Sequence, residues 1–422
     1  GPQTTELDRV LISLQVDSHP AELVICHASP PTLRVRSLYV PKLGVPLDTS
    51  VSLHLVPRGG GNTQQHTMHV KLKPGQRFTG ELTLQPFDAQ TAGTTWDCEW
   101  HGPDGYVGRS LPIHVLAVSS RKLVEPWQKR LEQVSLARIG KQSSSAPPVG
   151  NEETNDALAV CQRRIDLLTS ETETAVMDRW VLGPATLQRD LESEVSAIER
   201  GDNPYRDPWG DHWLPIPIPD GHVPCRVFRP ARIDNESLAA GADPSVAVRL
   251  PVVICLHGAG GNEHMFFETL GAGRIKQLAE QHRFLAVAPA TFSLVLQPQR
   301  WKAFLDGLER FYPVDRGRIY VIGHSMGAFA AAQLAALHPS DIRGMALVAG
   351  GPRIPPLAKQ FPPTRVYLPR LDKIVPAGPI RLVVERCQKR GLPMEMVEVD
   401  HYGHVLAVGR VIDEAVTWLL DL

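Results

Sequence analysis

Apolar and polar residues alternate in short runs over the first 120 residues of the chain. The runs Val51-Ser52-Leu53-His54-Leu55 and Thr67-Met68-His69-Val70-Lys71-Leu72 show the pattern, and glycine, proline and asparagine separate one run from the next. Alternation with a period of two buries one face of a strand and leaves the other face in water. Many short strands of this kind are typical of a β-sandwich. Residues 3–120 are therefore predicted to form a small β-sandwich-like domain.

The pattern changes to a helical period over residues 121–200. Apolar residues recur three and four positions apart with charged residues between them, as in the stripe Leu187, Leu191, Val195 and Ile198. This spacing places the apolar side chains on one face of a helix. We predict a helical connector over this stretch.

From residue 201 onward, short apolar runs alternate with longer amphipathic segments. The predicted strands are Val252–Leu256, Phe284–Ala288, Arg318–Ile322, Gly344–Val348, Arg365–Leu368 and Met394–Val399. The predicted helices are Phe267–Gln281, Gln299–Phe311, Met326–His338, Pro376–Arg390 and Leu406–Leu420. Near-continuous apolar strands that alternate with helices indicate a mostly parallel sheet covered on both faces. Residues 201–422 are predicted to be one α/β domain, which opens with a hairpin over Leu214–Pro230.

The charge of the chain argues against nucleic acid as a partner. Lys and Arg number 44 and Asp and Glu number 45 among 422 residues, which gives a formal net charge of −1. Binding to a phosphate backbone relies on an excess of basic residues, and no segment of the chain has a strong one. No apolar run approaches the ~18 residues of a membrane-spanning helix, so no membrane span is expected.

The six cysteines do not indicate a metal site. None forms a Cys-x-x-Cys pair or lies near a histidine at the spacing of zinc ligands. Cys255, inside the apolar run Val252–Leu256, is predicted to be a small core residue. Cys26 and Cys98 both fall in the first predicted domain and are the natural candidates for a disulfide.

The strongest chemical signal is the pentapeptide Gly323-His324-Ser325-Met326-Gly327. It lies between the predicted strand Arg318–Ile322 and an alanine-rich helix, which is the setting of a nucleophile elbow. Such a turn holds the serine in a strained backbone conformation, so its neighbours must be small. The amino terminus of the helix then directs free N–H groups at the site. Ser325 is therefore predicted to be a nucleophile.

Four segments within residues 215–422 carry a family resemblance. They are Leu256-His257-Gly258-Ala259-Gly260-Gly261, the elbow around Ser325, Leu371-Asp372-Lys373-Ile374-Val375-Pro376 and Tyr402-Gly403-His404. Together they resemble the α/β-hydrolase superfamily, and within it the dienelactone hydrolases, the prolyl-oligopeptidase-like enzymes and the polyhydroxybutyrate-depolymerase-like esterases. The resemblance implies an α/β-hydrolase catalytic domain in about half of the chain. The first 200 residues resemble no family that we can name.

A serine hydroxyl is a weak nucleophile, so it needs a base that a third group orients. The resemblance implies that the serine, the acid and the histidine follow one another in that order along the chain. His404 follows the last predicted strand and precedes the last helix, where the family has its base, and His401 is the nearby alternative. Asp372 stands at the position of the family's acid, with Asp400 as its alternative.

The tetrahedral intermediate of acyl transfer needs two backbone N–H donors. The N–H group of Met326, directly after the nucleophile, is expected to be one of them. The other is expected in the glycine-rich segment after Val252–Leu256, where Ala259 is preferred and Gly260 is the second choice.

Several residues near these segments are candidates for lining the substrate site. They are Gly260, His264, Phe266, Phe267 and Trp301. Of the two neighbouring phenylalanines, one is expected to face the substrate and the other the core, and His257 is expected to make structural hydrogen bonds. The short, proline-containing segment between Gly344–Val348 and Arg365–Leu368 holds no helical lid insertion. The site is therefore predicted to be open or to be covered by an earlier part of the chain, either Asn203–Trp213 or the helical connector.

These residues together imply hydrolysis of a carboxylic ester, small or polymeric, through an acyl-enzyme. Neither a metal nor an organic cofactor is expected. A serine peptidase on the same fold is the first alternative, but residues 3–120 are too few for a propeller of several four-stranded blades, the N-terminal domain of such oligopeptidases. The second alternative is a glycan- or polymer-binding protein whose hydrolase domain is vestigial, and the complete set of candidate catalytic residues argues against it.

Overall fold

The computed structural model describes residues 24–26, 32–39, 47–58, 60–73, 77–83, 94–101, 107–116, 120–142, 152–169, 184–206, 208–231, 249–295, 297, 299–352 and 360–422. The chain divides into two compact units. The N-terminal unit comprises residues 1–148 and 161–200, and the C-terminal unit comprises residues 149–160 and 201–422.

The described strands of the N-terminal unit form two sheets. They are β1 (Val24–Cys26), β2 (Thr32–Tyr39), β3 (Leu47–Pro57), β4 (Gln64–Leu72), β5 (Arg77–Thr83), β6 (Thr95–His101) and β7 (Val107–Leu116). One sheet has the order β1-β7-β6-β3-β4, and the other pairs β2 with β5. Leu53 and Leu55 are fully buried, whereas Ser52 and His54 beside them are partly exposed. This is the predicted alternation, and the predicted region of short strands is confirmed.

Helical structure follows these strands, as the period of the sequence predicts. The helices are α1 (Ser120–Gln142), α2 (Glu152–Thr169) and α3 (Pro184–Arg200). Trp127 on α1 donates a 2.7 Å hydrogen bond to Glu192 on α3, and Arg130 binds both Glu192 and Glu199. The apolar stripe of α3 is buried at its described positions, Leu191, Val195 and Ile198.

The C-terminal unit is built on an eight-stranded, mostly parallel sheet. Its strands are β8 (Gly210–Ile218), β9 (Gly221–Arg229), β10 (Leu250–Leu256), β11 (Leu285–Pro289), β12 (Val314–His324), β13 (Gly344–Val348), β14 (Thr364–Pro369) and β15 (Met394–Val399). The order is β15-β14-β13-β12-β10-β11-β9-β8, and only the hairpin β8–β9 and its pairing with β11 are antiparallel. Every residue of β10 and β13 is buried, as a sheet covered on both faces requires. The predicted α/β fold class is confirmed.

Helices cover this sheet, and all of them except the short helix Thr291–Val295 lie close to predicted positions. They are α4 (Arg274–His282), α5 (Thr291–Val295), α6 (Arg300–Phe311), α7 (Met326–Leu337), α8 (Ala377–Lys389) and α9 (Ala407–Leu420). The apolar core between them and the sheet includes Val253, Ile322 and Val411, all 3% exposed or less. Packing of the helices against the sheet therefore holds the ends of its strands in fixed positions.

The predicted helix Phe267–Gln281 is wrong in its first half. A π-helical turn (Met265–Thr269) and a 3-10 turn (Leu270–Gly273) precede α4. Gly271 and Gly273 have φ values of 61° and 70°, a left-handed conformation that interrupts an α-helix. A Cβ on Gly271 would lie 3.3 Å from the Cα of Gly409 on α9, so close helix contact explains why this segment bends.

Three further observations bear on the chemistry of the chain. Within the described ranges, no group of three or more His, Cys, Asp or Glu residues is arranged to hold a metal ion. No described helix combines the length and apolarity needed to cross a membrane. Cys255 is fully buried in the core, as predicted, and burial raises the pKa of its thiol. The side chains of Cys26 and Cys98 lie outside the described part, and their disulfide stays a prediction.

Candidate active site

Ser325 occupies a sharp turn between a strand and a helix. The strand β12 ends at His324, the helix α7 begins at Met326, and Ser325 between them has φ 55° and ψ −121°. A non-glycine residue at positive φ is strained and is held there only by tight surroundings. The surroundings are tight: a Cβ at Gly327 would lie 2.0 Å from the carbonyl oxygen of Leu256. The segment therefore folds as the predicted elbow.

A chain of hydrogen bonds joins Ser325, His404 and Asp372. Ser325 Oγ lies 2.9 Å from His404 Nε2, and His404 Nδ1 lies 2.7 Å from Asp372 Oδ2. Because a carboxylate only accepts hydrogen bonds, Nδ1 carries the proton and Nε2 accepts from the serine hydroxyl. The side chains of His404 and Asp372 are 10% and 1% exposed, so little water competes for these bonds. The arrangement can remove the proton from the hydroxyl.

The three residues come from loops at one edge of the sheet. Ser325 follows β12, Asp372 follows β14 and His404 follows β15, and the carboxyl ends of parallel strands lie on the same edge. Asp372 Oδ1 accepts the N–H groups of Ile374 and Val375 at 2.8 and 2.9 Å. These two bonds fix the carboxylate so that its other oxygen faces His404.

The two alternative residues lie in other environments. Asp400 accepts a 3.0 Å hydrogen bond from Arg370, and both side chains are mostly exposed. His401 is exposed and has φ 66°. Among the hydrogen bonds of the described residues, neither Asp400 nor His401 bonds to Ser325. The geometry therefore favours Asp372 and His404 over them.

The loop after β10 passes directly against the nucleophile. A Cβ on Gly258 would lie 2.9 Å from Ser325 Cβ, so a larger residue would push the loop away. Ala259 follows, is exposed, and its N–H group makes no hydrogen bond within the described residues. Met326 opens α7, where N–H groups have no intrahelical partner. Both N–H groups are available for an oxyanion, and exposed Gly260, at φ 73°, stays the second candidate for Ala259.

His257 makes the structural hydrogen bonds expected of it. Its Nε2 accepts the N–H group of Thr291 at 3.0 Å, and its Nδ1 donates to the carbonyl oxygen of Gly258 at 2.9 Å. Burial lowers the pKa of the ring, which keeps it neutral and preserves this pattern. His257 therefore holds the first turn of the loop that carries Ala259.

Residues 253–417 match the model of a protein family described as the alpha/beta hydrolase family. The match includes Ser325, Asp372 and His404 together with most of the parallel sheet. The match covers about two fifths of the chain and supports an α/β-hydrolase domain in the C-terminal unit. A comparison with curated protein sequences finds no match.

Several solved structures align with about half of the chain. The S-formylglutathione hydrolase of Staphylococcus aureus is 14% identical with a TM-score of 0.41, and 50% of this chain and 98% of that chain are covered. The Pyrobaculum calidifontis esterase is 17% identical with a TM-score of 0.37, covering 51% and 84%. The S-formylglutathione hydrolase of Agrobacterium tumefaciens is 15% identical with a TM-score of 0.38, covering 51% and 96%.

Sequence reasoning missed His324, the second residue of the elbow of this α/β-hydrolase domain. Its Nε2 donates a 3.0 Å hydrogen bond to the backbone carbonyl oxygen of His404. The ring is 2% exposed, and burial lowers its pKa to about 4, so the ring is neutral near pH 7. A buried imidazole thus joins the strand end before Ser325 to the loop that carries His404. One sequence signal could have pointed to His324: it is a histidine at the end of an apolar, buried strand, where its ring needs a hydrogen-bond partner.

The expectation that His264 lines the substrate site is corrected. Its ring is 3% exposed, and Arg226 Nη1 donates to its Nδ1 at 2.8 Å. Burial lowers the pKa of His264 to about 4, so it accepts this bond as a neutral ring. Trp213 donates a 2.8 Å hydrogen bond to the neighbouring Glu263. The hairpin β8–β9 therefore anchors the segment that follows the glycine-rich loop after β10, and this anchoring explains the burial of His264.

The aromatic candidates are corrected as well. Phe266 and Phe267 are each 1% exposed and belong to the core, and Trp301 is fully buried. The prediction that one phenylalanine faces the substrate is wrong, because the π-helical turn Met265–Thr269 replaces the predicted helix start and both rings enter the core.

The exposed apolar residues at the site were also missed by sequence reasoning. We name them the apolar rim, and they are Met326, Leu371, Ile374, Val405 and Leu406. Their exposed fractions range from 40% at Val405 to 71% at Leu406. Each lies within two positions of Ser325, Asp372 or His404 in the sequence. Helical and strand periods do not reveal them, because they lie mainly in loops.

Proposed function

We propose that this chain hydrolyses carboxylic esters through an acyl-enzyme. The observation that carries the proposal is the continuous hydrogen-bonded chain from Ser325 Oγ through the His404 ring to the Asp372 carboxylate, with distances of 2.9 and 2.7 Å. A nucleophile, a base and an orienting acid at these distances are the parts that serine acyl transfer needs. The match of residues 253–417 to the α/β-hydrolase family supports the same reaction class.

Acylation begins when Ser325 Oγ attacks the carbonyl carbon of the ester and His404 Nε2 takes the hydroxyl proton. The π electrons of the carbonyl move to its oxygen, and the N–H groups of Ala259 and Met326 bind the resulting oxyanion. The intermediate then collapses, the bond to the alcohol breaks, and the alcohol leaves with the proton from His404. Asp372 keeps the imidazole in the required tautomer and stabilises its charged form.

Deacylation repeats these steps with water as the nucleophile. His404 takes a proton from the water, whose oxygen attacks the acyl carbon, and the same two N–H groups bind the oxyanion. The bond to Ser325 Oγ then breaks, the serine recovers its proton from His404, and the carboxylic acid leaves. Every proton that His404 takes is returned, so the cycle consumes only ester and water.

A labelling and substrate panel tests this proposal. We expect a fluorophosphonate probe to label the wild-type chain and not Ser325→Ala, and the wild type to cleave p-nitrophenyl esters but not peptidyl p-nitroanilides. Cleavage of the anilides but not of the esters would contradict the esterase proposal and favour a serine peptidase. A wild-type chain that binds no probe and cleaves neither substrate would contradict both reactions.

A further inference from the structure

We propose that the apolar rim binds a hydrocarbon group of the ester, so that the substrate class is neutral esters with an apolar group of several carbons. This inference rests on the proposed ester hydrolysis and adds which esters the site selects.

The rim lies on the loops that meet at Ser325. Met326 directly follows the nucleophile, and the hydrogen bonds of His404 join the serine to the loops of the acid and the base. These two loops run side by side, since the N–H group of Leu371 donates to the carbonyl oxygen of Tyr402 at 3.1 Å. An ester whose carbonyl carbon is within reach of Ser325 therefore extends its substituents over these loops.

Exposed apolar side chains are concentrated at this place. Nine large apolar side chains are exposed in the described part of the chain, and five of them form the rim. The others are Leu136, Trp209, Leu337 and Leu382. Single exposed apolar residues are ordinary on a protein surface, whereas a contiguous group of them marks a binding surface. The position of this group around a nucleophile identifies the occupant as the substrate.

The charges on the same loops are mostly paired with one another. Arg370 lies 3.0 Å from Asp400 and 3.8 Å from Glu398. Lys373 is the exposed cation next to Asp372 and would attract a substrate that ends in a carboxylate. The five apolar side chains outnumber this single lysine, so a neutral hydrocarbon group fits the surface better than a charged one.

The experiment measures kcat/KM for p-nitrophenyl acetate, butyrate and hexanoate, and for the p-nitrophenyl monoester of adipic acid, which has the length of hexanoate and a terminal carboxylate. For the wild type we expect kcat/KM to rise roughly two- to fourfold per added methylene, as burial of hydrocarbon predicts. Hexanoate is expected to exceed the adipate monoester.

The decisive variant is Ile374→Ser combined with Leu406→Ser, because these two side chains are 69% and 71% exposed. We expect the ratio of hexanoate to acetate to fall at least threefold in this variant. The matched control is Leu337→Ser, which changes a 52% exposed leucine at the far end of α7, about 16 Å along the helix from Met326. Its ratio is expected to equal that of the wild type, and melting temperatures check that all variants fold.

The outcomes separate the two proposals. If the wild type cleaves no ester at all, the proposed function fails. If the wild type cleaves esters but the double variant keeps the full hexanoate-to-acetate ratio, only the rim proposal fails. A preference for the adipate monoester, or a wild-type ratio of one or less, would also overturn the rim proposal while leaving ester hydrolysis intact.

Discussion

The elbow and Gly258, at the start of the loop after β10, are tightly packed against one another, whereas the loops that carry Asp372 and His404 present apolar side chains to solvent. A Cβ at Gly327 would lie 2.0 Å from a carbonyl oxygen of β10, and Ser325 itself is 7% exposed. Ile374 on the acid loop, by contrast, is 69% exposed. One half of the site is fixed by the central sheet, and the other half faces the surroundings.

This difference assigns separate tasks to the two halves. A nucleophile and two N–H donors must hold their geometry to a fraction of an ångström, and packing against central strands provides that rigidity. Substrate selection needs side chains that a ligand can cover, and exposed loops provide those. Changes in the packed half should therefore abolish the fold or the chemistry, while changes to the exposed apolar side chains of the open half should alter which ester is used.

The largest expected effect comes from removing the reacting groups themselves. Ser325→Ala and His404→Ala should each lower kcat/KM for a p-nitrophenyl ester by roughly 10³- to 10⁶-fold, because neither attack nor proton transfer then occurs normally. Asp372→Asn should lose less, since serine and base remain. Asp400→Asn is the matched control and should stay near wild type, because Asp400 pairs with Arg370 on the surface. Wild-type turnover by Ser325→Ala would remove the serine from the mechanism.

Part of the packed half could be predicted from local sequence. The elbow pentapeptide and the apolar strand before it are local patterns, and the structure reproduces both, including the small residues around Ser325. The burial of the aromatic side chains near the site depends instead on how distant parts of the chain pack together. The burial of Phe266 and Phe267 depends on a π-helical turn and on the contact of Gly271 with α9, neither of which a window of sequence contains.

A second test compares two glycines of the C-terminal unit. Gly327→Ala should destabilise the fold by about 3 kcal/mol or more, because its Cβ would overlap backbone oxygens of Leu256 and His257 that have no room to move. Gly378→Ala is the control: a Cβ there meets nothing within 4 Å, and alanine favours the helix α8. Urea unfolding measures both. Equal stability of the two variants would show that the elbow is less tightly packed than the structure indicates.

A third test uses pH. Burial lowers the pKa of His264 to about 4, while the unfolded chain has a histidine pKa of about 6.5. Below pH 6.5 the unfolded state therefore takes up a proton that the folded state refuses, and stability falls as the pH drops toward 4. Above pH 6.5 both states are neutral at this residue and the effect vanishes.

The measurement is the loss of unfolding free energy between pH 7 and pH 5. In His264→Gln this loss should be about 2 kcal/mol smaller than in the wild type, because one buried proton acceptor has been removed. His282→Gln replaces an exposed histidine and should leave the loss unchanged. A loss of equal size in His264→Gln and the wild type would mean that His264 does not stay neutral in the folded chain.

The position of His404 between the last strand and the last helix was predictable from the sequence, but the partner of its backbone carbonyl was not. The motif places a histidine between the last strand and the last helix, which is a matter of order along the chain. The bond from His324 to the His404 carbonyl joins residues 80 positions apart, and only the folded sheet brings them together. Contacts of this kind depend on tertiary structure, which explains why His324 carried no signal that stood out.

The smallest expected effect tests His324 as a positioning residue for His404. The Nε2–H group of His324 donates to the backbone carbonyl oxygen of His404 at 3.0 Å. Losing this donor should let the His404 ring move away from Ser325, although His324 itself does not contact the substrate. His324→Leu should lower kcat about tenfold, equivalent to about 1.4 kcal/mol, with little change in KM. His324→Gln keeps an N–H donor on a side chain of similar reach and should recover most of that loss.

A purely structural role of His324 would instead lower the stability and the fraction of active enzyme, leaving kcat per labelled active site unchanged. Fluorophosphonate titration of active sites separates the two, and equal kcat per site in all three proteins would show that the bond does not position the base.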